Sequence, residues 1–353
     1  MKKEVDYIIV GLGLAGLAFS RVLAKHNKTF IIFEDNSQNA SLVASGMYNP
    51  VILKRFTPVW KAESQLKVAI PFYKGLEKLL SNNCHYSVPI YRVFKSIEEQ
   101  NNWTVASDKL LLSDYMVSEI INKKQVGILS DFGFGKLINT GRIDTKALLE
   151  DYKYFLKRQN LIEKVSFEYD QLKNDKNKVE YKNIKAKKIV FCEGYGLVKN
   201  PFFNYLPMRE AKGELLTIYA TDLKIDFMIK SSVFVQPIGN HHYKVGATFN
   251  WKDKTCNPTK KGKQELEEKL SKVISVPYKI VAQSAGIRPT VKDRRPLVGT
   301  HPKYKNMAIL NGLGTRGVMI APWAANQLFH FLEQEKELDR EITIHRYQNL
   351  FDI

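Results

Sequence analysis

Residues 5–19 read VDYIIVGLGLAGLAF, an apolar, β-branched run followed by three glycines. The run up to Val10 is typical of a buried strand, and the glycines match the spacing G-x-G-x-x-G. The first glycine permits a tight bend, the second lets backbone N–H groups approach a pyrophosphate, and the third lets a helix pack closely on the strand. A helix to about residue 25 would turn its N-terminus toward the phosphates. The segment predicts a dinucleotide-binding turn with contacts from Gly11, Gly13, Leu14, Ala15 and Gly16.

Glu34 follows the next predicted strand, residues 29–33. A carboxylate at this point accepts hydrogen bonds from an adenosine ribose and disfavours the 2′-phosphate of NADP. Strand, turn, helix and strand thus stand in the order of a parallel α/β unit. A glycine-rich turn that binds no ligand is the alternative interpretation.

A second glycine turn, NGLGTRG at residues 311–317, lies between a predicted strand (307–310) and a predicted helix (318–333). No ribose-binding acid and no further strand complete a second dinucleotide site there. The positive end of the helix suits the negative charge that develops on the pyrimidine edge of a reduced flavin. A turn needed only for packing is the alternative. The predicted contacts are Gly312, Gly314, Thr315, Arg316 and Gly317.

Arg288 stands at the end of an apolar strand, within GIRPTVKDRRPLVG at residues 286–299. A guanidinium held there can bind a substrate carboxylate through two parallel hydrogen bonds. Arg288 is therefore a candidate substrate-binding and catalytic residue. The alternative is a structural ion pair with Asp293 or a nearby glutamate.

The middle of the chain predicts an antiparallel sheet, because alternating segments follow about residue 207. Strands are predicted at 86–94, 186–192, 214–219, 233–237, 243–249 and 279–285, and helices at 58–80, 144–158 and 259–273. These elements predict an α/β fold in which a Rossmann-type domain is interleaved with an α+β, antiparallel-sheet substrate domain. The predicted boundaries are 1–57, 139–206 and 285–353 for the first domain, and 58–138 and 207–284 for the second.

The composition excludes a disordered chain, since 44% of the 353 residues are hydrophobic and 25% are charged. No segment approaches the roughly 20 apolar residues that span a bilayer. The formal net charge is +18, which attracts phosphate-bearing partners and keeps RNA as a candidate. Because the lysines are scattered, a solvated basic surface is the alternative.

The cysteines and histidines predict neither a disulfide framework nor a metal site. Three cysteines without a C-x-x-C pair favour a reducing, cytoplasmic location. The apolar run near the N-terminus imitates a secretory signal, but Glu4 and Asp6 stand where that signal needs positive charge. A buried strand is expected there.

Four motifs together resemble the D-amino acid oxidase family of flavoproteins, especially its glycine oxidase-like and sarcosine oxidase-like members. They are residues 11–16 with Glu34; ASGM at 44–47; VGAT at 245–248; and the pair 286–299 with GLGTRGVMIAP at 312–322. The resemblance covers essentially the whole chain. It implies oxidation of a C–N bond in an amino acid or secondary amine, with dioxygen or another compound as electron acceptor. The leading hypothesis is hydride transfer to a flavin from a carboxylate-bearing amine, either an amino acid or an N-substituted glycine.

The resemblance also implies a bound FAD. Ser45, Gly46 and Met47 match a flavin-contacting loop, and Gly194 closes the strand predicted at 186–192. Neither Cys192 nor Cys256 falls near Gly312, so we expect the FAD to be noncovalent.

Several site residues follow from the same resemblance. Arg288 matches the carboxylate-binding arginine, and Lys244 resembles a lysine that promotes the reaction with dioxygen, although a solvent-facing strand lysine is equally consistent. Thr248 should point the same way as Lys244, since side chains two or four residues apart share a strand face. Phe234 occupies the place of a substrate-binding tyrosine, and Thr315 replaces an arginine of some members.

GMYNPV at 46–51 and LGTRG at 313–317 also resemble the oxidase domain that removes the carboxymethyl group from 5-carboxymethylaminomethyl-uridine in tRNA. That reaction is the same chemistry on a glycine-like nitrogen carried by RNA. The basic charge agrees with tRNA as an alternative partner. A non-catalytic flavin- or RNA-binding protein is the third hypothesis.

Overall fold

The computed structural model describes residues 3–175 and 178–351, so the predicted domain ends at residues 1 and 353 lie outside the described part. Its strands are β1 Lys3–Val10, β2 Phe30–Phe33, β3 Met47–Tyr48, β4 Val51–Ile52, β5 Thr57–Pro58, β6 His85–Ser87, β7 Ile90–Val93, β8 Met116–Ile121, β9 Phe134–Leu137, β10 Gly141–Ile143, β11 Ile162–Glu163, β12 Lys173–Asp175, β13 Lys178–Tyr181, β14 Ile184–Phe191, β15 Ala211–Tyr219, β16 Met228–Lys230, β17 Phe234–Gly239, β18 His242–Gly246, β19 Lys279–Arg288, β20 Leu297–Thr300 and β21 Met307–Asn311. Its α-helices are α1 Leu14–Lys25, α2 Ala40–Val43, α3 Ala62–Leu80, α4 Ile97–Ser107, α5 Thr145–Arg158, α6 Lys260–Leu270, α7 Gly317–Gln334 and α8 Gln348–Phe351.

The first sheet has a parallel centre with the strand order β2, β1, β14 and β21. Ile8 and Ile9 of β1 are fully buried on opposite faces, as expected for a central parallel strand. The expected buried strand at the start of the chain is therefore confirmed. Parallel strands end at the same edge of a sheet, so the glycine turns after β1 and β21 lie along one edge.

Helices α1, α3, α5 and α7 cover one face of this sheet, with α7 packed against both α1 and α3. Tyr73 of α3 is buried in this core, and its hydroxyl donates to the Val318 carbonyl at 2.9 Å. Thus α3 packs with the first sheet although the predicted boundaries assign it to the second domain. Those boundaries stay a prediction.

The second sheet has the order β19, β15, β18, β17, β16, β7, β9 and β8. All its pairs are antiparallel except β16 with β7. Helix α6 covers one face through Leu266 and Leu270, and the other face is turned toward the edge that carries the glycine turns. The α/β fold with a separate antiparallel sheet is confirmed.

Some predicted elements differ from the structure. The strand predicted over 86–94 is two strands: β6 pairs with β10 in a small three-stranded sheet with β3, and β7 belongs to the second sheet. Pro89 lies between them and lacks the N–H that a continuous ladder needs. The helix predicted from residue 58 begins at Ala62, and Thr57–Pro58 pair with β4 instead. Among the described helices, none is long and apolar enough to cross a membrane.

Candidate active site

A cavity of about 790 Å³ lies between the edge of the first sheet and the open face of the second. Its wall includes both glycine turns, Glu34, the loop 44–47 and, from the second sheet, Gly246 and Arg288. The volume is in the range of roughly 300–1,000 Å³ that small-molecule and cofactor sites occupy. Most of the predicted cofactor contacts therefore meet in one cavity.

The first glycine turn has no room for a side chain at Gly11 or Gly16. Gly11 has a φ of +96°, and a Cβ atom there would lie 2.6 Å from the Cys192 carbonyl oxygen. A Cβ atom at Gly16 would overlap the Gly11 carbonyl oxygen, so Gly16 lets α1 approach the turn without lining the cavity itself. Gly13 has no side chain to cap α1, and the Ser41 hydroxyl accepts from the Leu14 N–H at 3.2 Å. The start of the helix faces the cavity with Gly13, Leu14 and Ala15.

Glu34 lines the cavity at the end of β2. Its carboxylate accepts hydrogen bonds from the N–H of Leu12 and, at 2.6 Å, from the N–H of Asn36. A carboxylate has about four lone-pair sites, so acceptor capacity remains for ribose hydroxyls. Phe167 lines the same end and contacts Phe33, which gives a flat base an apolar surface.

The second glycine turn is joined to the end of β14 by a side chain that the sequence analysis did not single out. The Asn311 Oδ1 atom accepts from the Gly312 N–H at 2.7 Å, and its Nδ2 atom donates to the Gly194 carbonyl at 3.0 Å. Gly312 is packed against Val291 and does not line the cavity, so its predicted cofactor contact stays a prediction. The lining residues of this segment are Gly314, Thr315, Arg316 and Gly317, and Gly194 joins them.

The loop 44–47 lies in the cavity wall and is bonded to the second sheet. Gly46 has a φ of +69°, and a Cβ atom there would overlap the Ile143 carbonyl oxygen. The Gln236 Nε2 atom of β17 donates to the Ser45 carbonyl at 2.9 Å. Ser45, Gly46 and Met47 all line the cavity, as the sequence predicts for a cofactor-contacting loop.

Arg288 lines the cavity from the end of β19. Its guanidinium donates to the Thr248 carbonyl at 3.2 and 3.3 Å and to the Lys212 carbonyl at 3.3 Å. It also stacks on the Phe249 ring at 4.2 Å. Burial lowers the pKa of Arg288 to about 10, so the group stays charged at neutral pH. Two backbone carbonyls and the Phe249 ring thus fix the position of the Arg288 guanidinium, and none of these groups neutralises its positive charge.

The alternative of an ion pair between Arg288 and Asp293 is wrong. Asp293 pairs with Arg346 at 2.8 Å, and within the described residues no carboxylate forms an ion pair with Arg288. A buried charge usually has a partner of opposite sign, since its desolvation is costly otherwise. An anionic ligand in the cavity would supply that partner.

Two further residues of the second sheet shape the wall around Arg288. A Cβ atom at Gly213 would overlap the Arg288 guanidinium, so this glycine makes room for it. The sequence analysis missed Gly213, although a glycine next to a predicted strand can mark the close approach of another group. Phe234 lines the cavity opposite Gly246, where we predict a substrate contact.

Lys244 and Thr248 are placed differently from expectation. The Lys244 ammonium lies behind the loop 44–47, where it donates to the Ala44 carbonyl at 3.3 Å. Lys244 does not line the cavity, and burial lowers its pKa.

Strand β18 ends at Gly246, so side-chain alternation does not extend to Thr248. The Thr248 hydroxyl accepts from the Glu214 N–H at 2.9 Å and is buried away from the cavity. The Thr248 side chain is therefore not among those that line the cavity, and its substrate contact stays a prediction.

Glu193 is a cavity residue that the sequence analysis missed. Glu193 comes shortly after β14, just as Glu34 comes directly after β2. An acidic residue after a predicted parallel strand is the sequence feature that could have predicted its place in the cavity wall. Its carboxyl group accepts hydrogen bonds from the Tyr169 hydroxyl and, at 2.7 Å, from the Asn200 amide. Burial raises the pKa of Glu193 to about 7.

These features fit a flavin dinucleotide. The N-termini of α1 and α7 both face the cavity and offer partial positive charge to phosphates and to a reduced ring. Glu34 suits a ribose, and Phe167 suits a base. Burial raises the pKa of Cys192, so this cavity-lining thiol carries no reactive thiolate for a covalent link.

Comparisons with known proteins agree with this geometry. A family model described as FAD dependent oxidoreductase (DAO) matches residues 6–330. The glycine oxidase of Bacillus subtilis (strain 168) is 23% identical over 368 residues, which cover 97% of this chain and 96% of that relative. The crystal structure of glycine oxidase from Geobacillus kaustophilus has a TM-score of 0.78 at 18% identity and covers 95% of this chain and 96% of its own.

A third relative matches only in part. The tRNA 5-methylaminomethyl-2-thiouridine biosynthesis bifunctional protein of Idiomarina loihiensis is 24% identical over 156 residues, which cover 41% of this chain and 25% of that protein.

Proposed function

This chain belongs to the DAO family of FAD dependent oxidoreductases, and we propose that it oxidises the C–N bond of an amine that carries a carboxylate. The observation that carries the proposal is the charged guanidinium of Arg288 in the cavity wall, held by carbonyls and without a carboxylate partner among the described residues. The full-length similarity to a glycine oxidase supports the same substrate class.

The residues that would hold FAD noncovalently lie along the edge of the first sheet. The N–H groups at the start of α1 would bind the diphosphate, Glu34 the ribose, and the loop 44–47 and residues 314–317 the ring. FAD supplies the electron sink of the reaction.

Arg288 would then bind the substrate carboxylate through its fixed, planar donors and so orient the Cα–H bond toward the ring site. Phe234 and Met47 line the cavity with apolar surface and would exclude water from the substrate. The N-terminus of α7 would stabilise the negative charge that builds up on reduction. No strong base is required if the amine binds unprotonated.

The electron acceptor and the location in the cell belong to the proposal. Dioxygen is the acceptor that the family resemblance suggests, and Lys244 is the residue we assign to that step. Lys244 is buried two residues before Gly246 on β18, and Gly246 lines the cavity. The three free cysteines support a cytoplasmic location.

An anaerobic absorbance experiment tests the function. The purified, FAD-loaded protein is mixed with a panel of N-substituted glycines and D-amino acids, and bleaching of the flavin band identifies a donor. We expect at least one carboxylate-bearing amine to bleach the band. A flavin that no amine reduces would refute the proposed oxidation and favour the non-catalytic alternative.

A second candidate is oxidation of a carboxymethylaminomethyl group on a tRNA wobble uridine. A groove of about 440 Å³ adjoins the cavity and shares Lys54 with it. Its other basic residues are Arg55, Lys95, Lys109 and Arg92, which is paired with Glu99, and Glu98 also lines it. Such a groove suits a phosphate backbone, and the tRNA-modifying relative supports this candidate.

Mass spectrometry of tRNA nucleosides from cells that lack the protein tests this second candidate. Accumulation of the carboxymethylaminomethyl nucleoside is the expected result. Unaltered nucleosides would leave the small-molecule amine as the substrate class.

A further inference from the structure

Lys230 is a cation in the cavity wall to which the proposed reaction gives no role. It ends β16, pairs with Phe234 of β17 and lies on the same sheet face as that residue. Its ammonium lies 5.1 Å above the centre of the Phe234 ring. Lys230 therefore presents its charge to the substrate end of the cavity.

No carboxylate in the described part of the chain forms an ion pair with Lys230. Arg92, its neighbour on β7, is paired with Glu99 at 2.5 Å. Burial and the nearby charges of Arg92, Arg316 and Arg288 lower the pKa of Lys230 to about 8. A cation placed among other cations is unfavourable unless an anion joins them.

The acidic residues that line the cavity all lie at one end of it, where Lys199 is a basic neighbour. The acidic lining residues, Glu34, Asp35 and Glu193, follow strands of the first sheet at the end assigned to the nucleotide. Around the second sheet the described lining residues include Lys230 and Arg288 but no acid. The substrate end is thus prepared for more negative charge than one carboxylate brings.

The two cations are separated by a distance that one small molecule can span. The Arg288 guanidinium lies over Gly213 of β15, and the Lys230 ammonium lies over Phe234 of β17, with β18 between these strands. Phe234 lies opposite Gly246, and Gly246 lies opposite Leu215, two residues from Gly213. Two strand spacings and a two-residue offset along the strand amount to about 12 Å. Two carboxylates joined through C–N–C are about 5 Å apart, which leaves about 3.5 Å at each end, and the flexible stem of Lys230 can close that gap.

We propose that Lys230 forms a second carboxylate subsite, so that the preferred substrate is an amine with two carboxylates, such as an N-carboxymethyl amino acid. This inference rests on the proposed function, since it takes Arg288 as the binder of the first carboxylate. Lys230 selects the substrate by holding the carboxylate that is remote from the reacting bond.

Binding of inert carboxylates tests the subsite without turnover. The FAD-loaded protein is titrated with glutarate and with pentanoate, which have the same length but two and one carboxylates, and the shift of the flavin spectrum reports binding. We expect glutarate to bind at least about tenfold more tightly than pentanoate. In Lys230→Met that preference should fall below about threefold, and Lys230→Arg should keep most of it.

Lys269→Met is the matched control, because Lys269 also lines the cavity but is paired with Glu265 at 2.6 Å. It should retain the preference for glutarate. Equal binding of both acids by the unmodified protein, or an equal loss of both in Lys230→Met, would overturn the subsite. Failure to oxidise any amine would refute the proposed function and still leave this binding result readable.

Discussion

Arg288 shows how a single side chain can carry a functional argument. Its guanidinium is fixed by two carbonyls and by Phe249, so little conformational freedom is left to lose when a carboxylate binds. Its charge has no acidic partner among the described residues. Preorganisation and unmatched charge together favour an anionic ligand at this point.

Replacing Arg288 by Met should raise the apparent KM for a carboxylate-bearing amine by about 100-fold or more, because charge-assisted hydrogen bonds are lost. Steady-state kinetics and the flavin content of the purified variant measure this. Arg295→Met is the control, since Arg295 pairs with Glu341 at 3.0 Å outside the cavity and should change KM by less than about twofold. Unchanged kinetics in Arg288→Met would remove the assignment.

Glu193 predicts a pH dependence of stability. Burial raises its pKa in the folded state from 4.5 to about 7, so the folded protein keeps a proton that the unfolded chain releases. The sign follows from that difference: the contribution of Glu193 to the free energy of unfolding is fully present below about pH 4.5 and is lost as the pH rises through about 7. The loss amounts to about 3 kcal/mol.

Urea denaturation of the protein and of Glu193→Gln at pH 5, 6, 7 and 8 measures this dependence. The variant is neutral at every pH, so the difference in free energy of unfolding between the two proteins should change across the series by most of the Glu193 contribution. Glu150→Gln, on the exposed side of α5, should retain the slope of the unmodified protein. Equal slopes in Glu193→Gln and the unmodified protein would contradict the raised pKa.

At the scale of elements, the junction of β1 and α1 depends on how closely the helix approaches the turn. Gly16→Ala would place a methyl group on the Gly11 carbonyl, so we expect about 1–3 kcal/mol of destabilisation and weaker FAD retention. Gly75→Ala, in the exposed part of α3 with open space at its Cβ position, should instead stabilise by up to about 1 kcal/mol.

Thermal unfolding and the ratio of flavin to protein absorbance distinguish these two variants. If Gly16→Ala keeps both its melting temperature and its flavin, the close packing of α1 on the turn is not required for the site.

Element boundaries were predictable where local signals were strong. Asp144 caps α5 as expected, since its side chain accepts from the Ala147 N–H at 3.1 Å. Helix α4 was missed, although Ser96 caps it by accepting from the Glu99 N–H at 3.2 Å, and Ser-x-x-Glu is a known start signal. The weak amphipathic pattern of this helix hid it from an argument based on periodicity.

For the whole molecule, FAD should act as a stabilising ligand. The cavity combines residues 11–15, 314–317 and strands of the second sheet, and these segments meet only in the folded state. Binding to the folded state alone raises the free energy of unfolding by about 2.7 kcal/mol at 100 times the dissociation constant.

The melting temperature of the flavin-free protein should therefore rise with added FAD. Riboflavin at the same concentration lacks the diphosphate and adenosine, so its effect should be smaller. Equal effects of both compounds would contradict the assignment of the first glycine turn to the diphosphate.

The amino-acid sequence by itself determined the parallel start of the fold, the two glycine turns and the family, because each depends on residues close together in the chain. The tertiary structure decided which predicted residues share a cavity. It turned Thr248 away, since a strand end breaks side-chain alternation, and it removed Gly312 from the wall. It also brought Lys230 and Arg288, 58 positions apart, onto one face of a sheet, because strand order is set by pairing between distant segments.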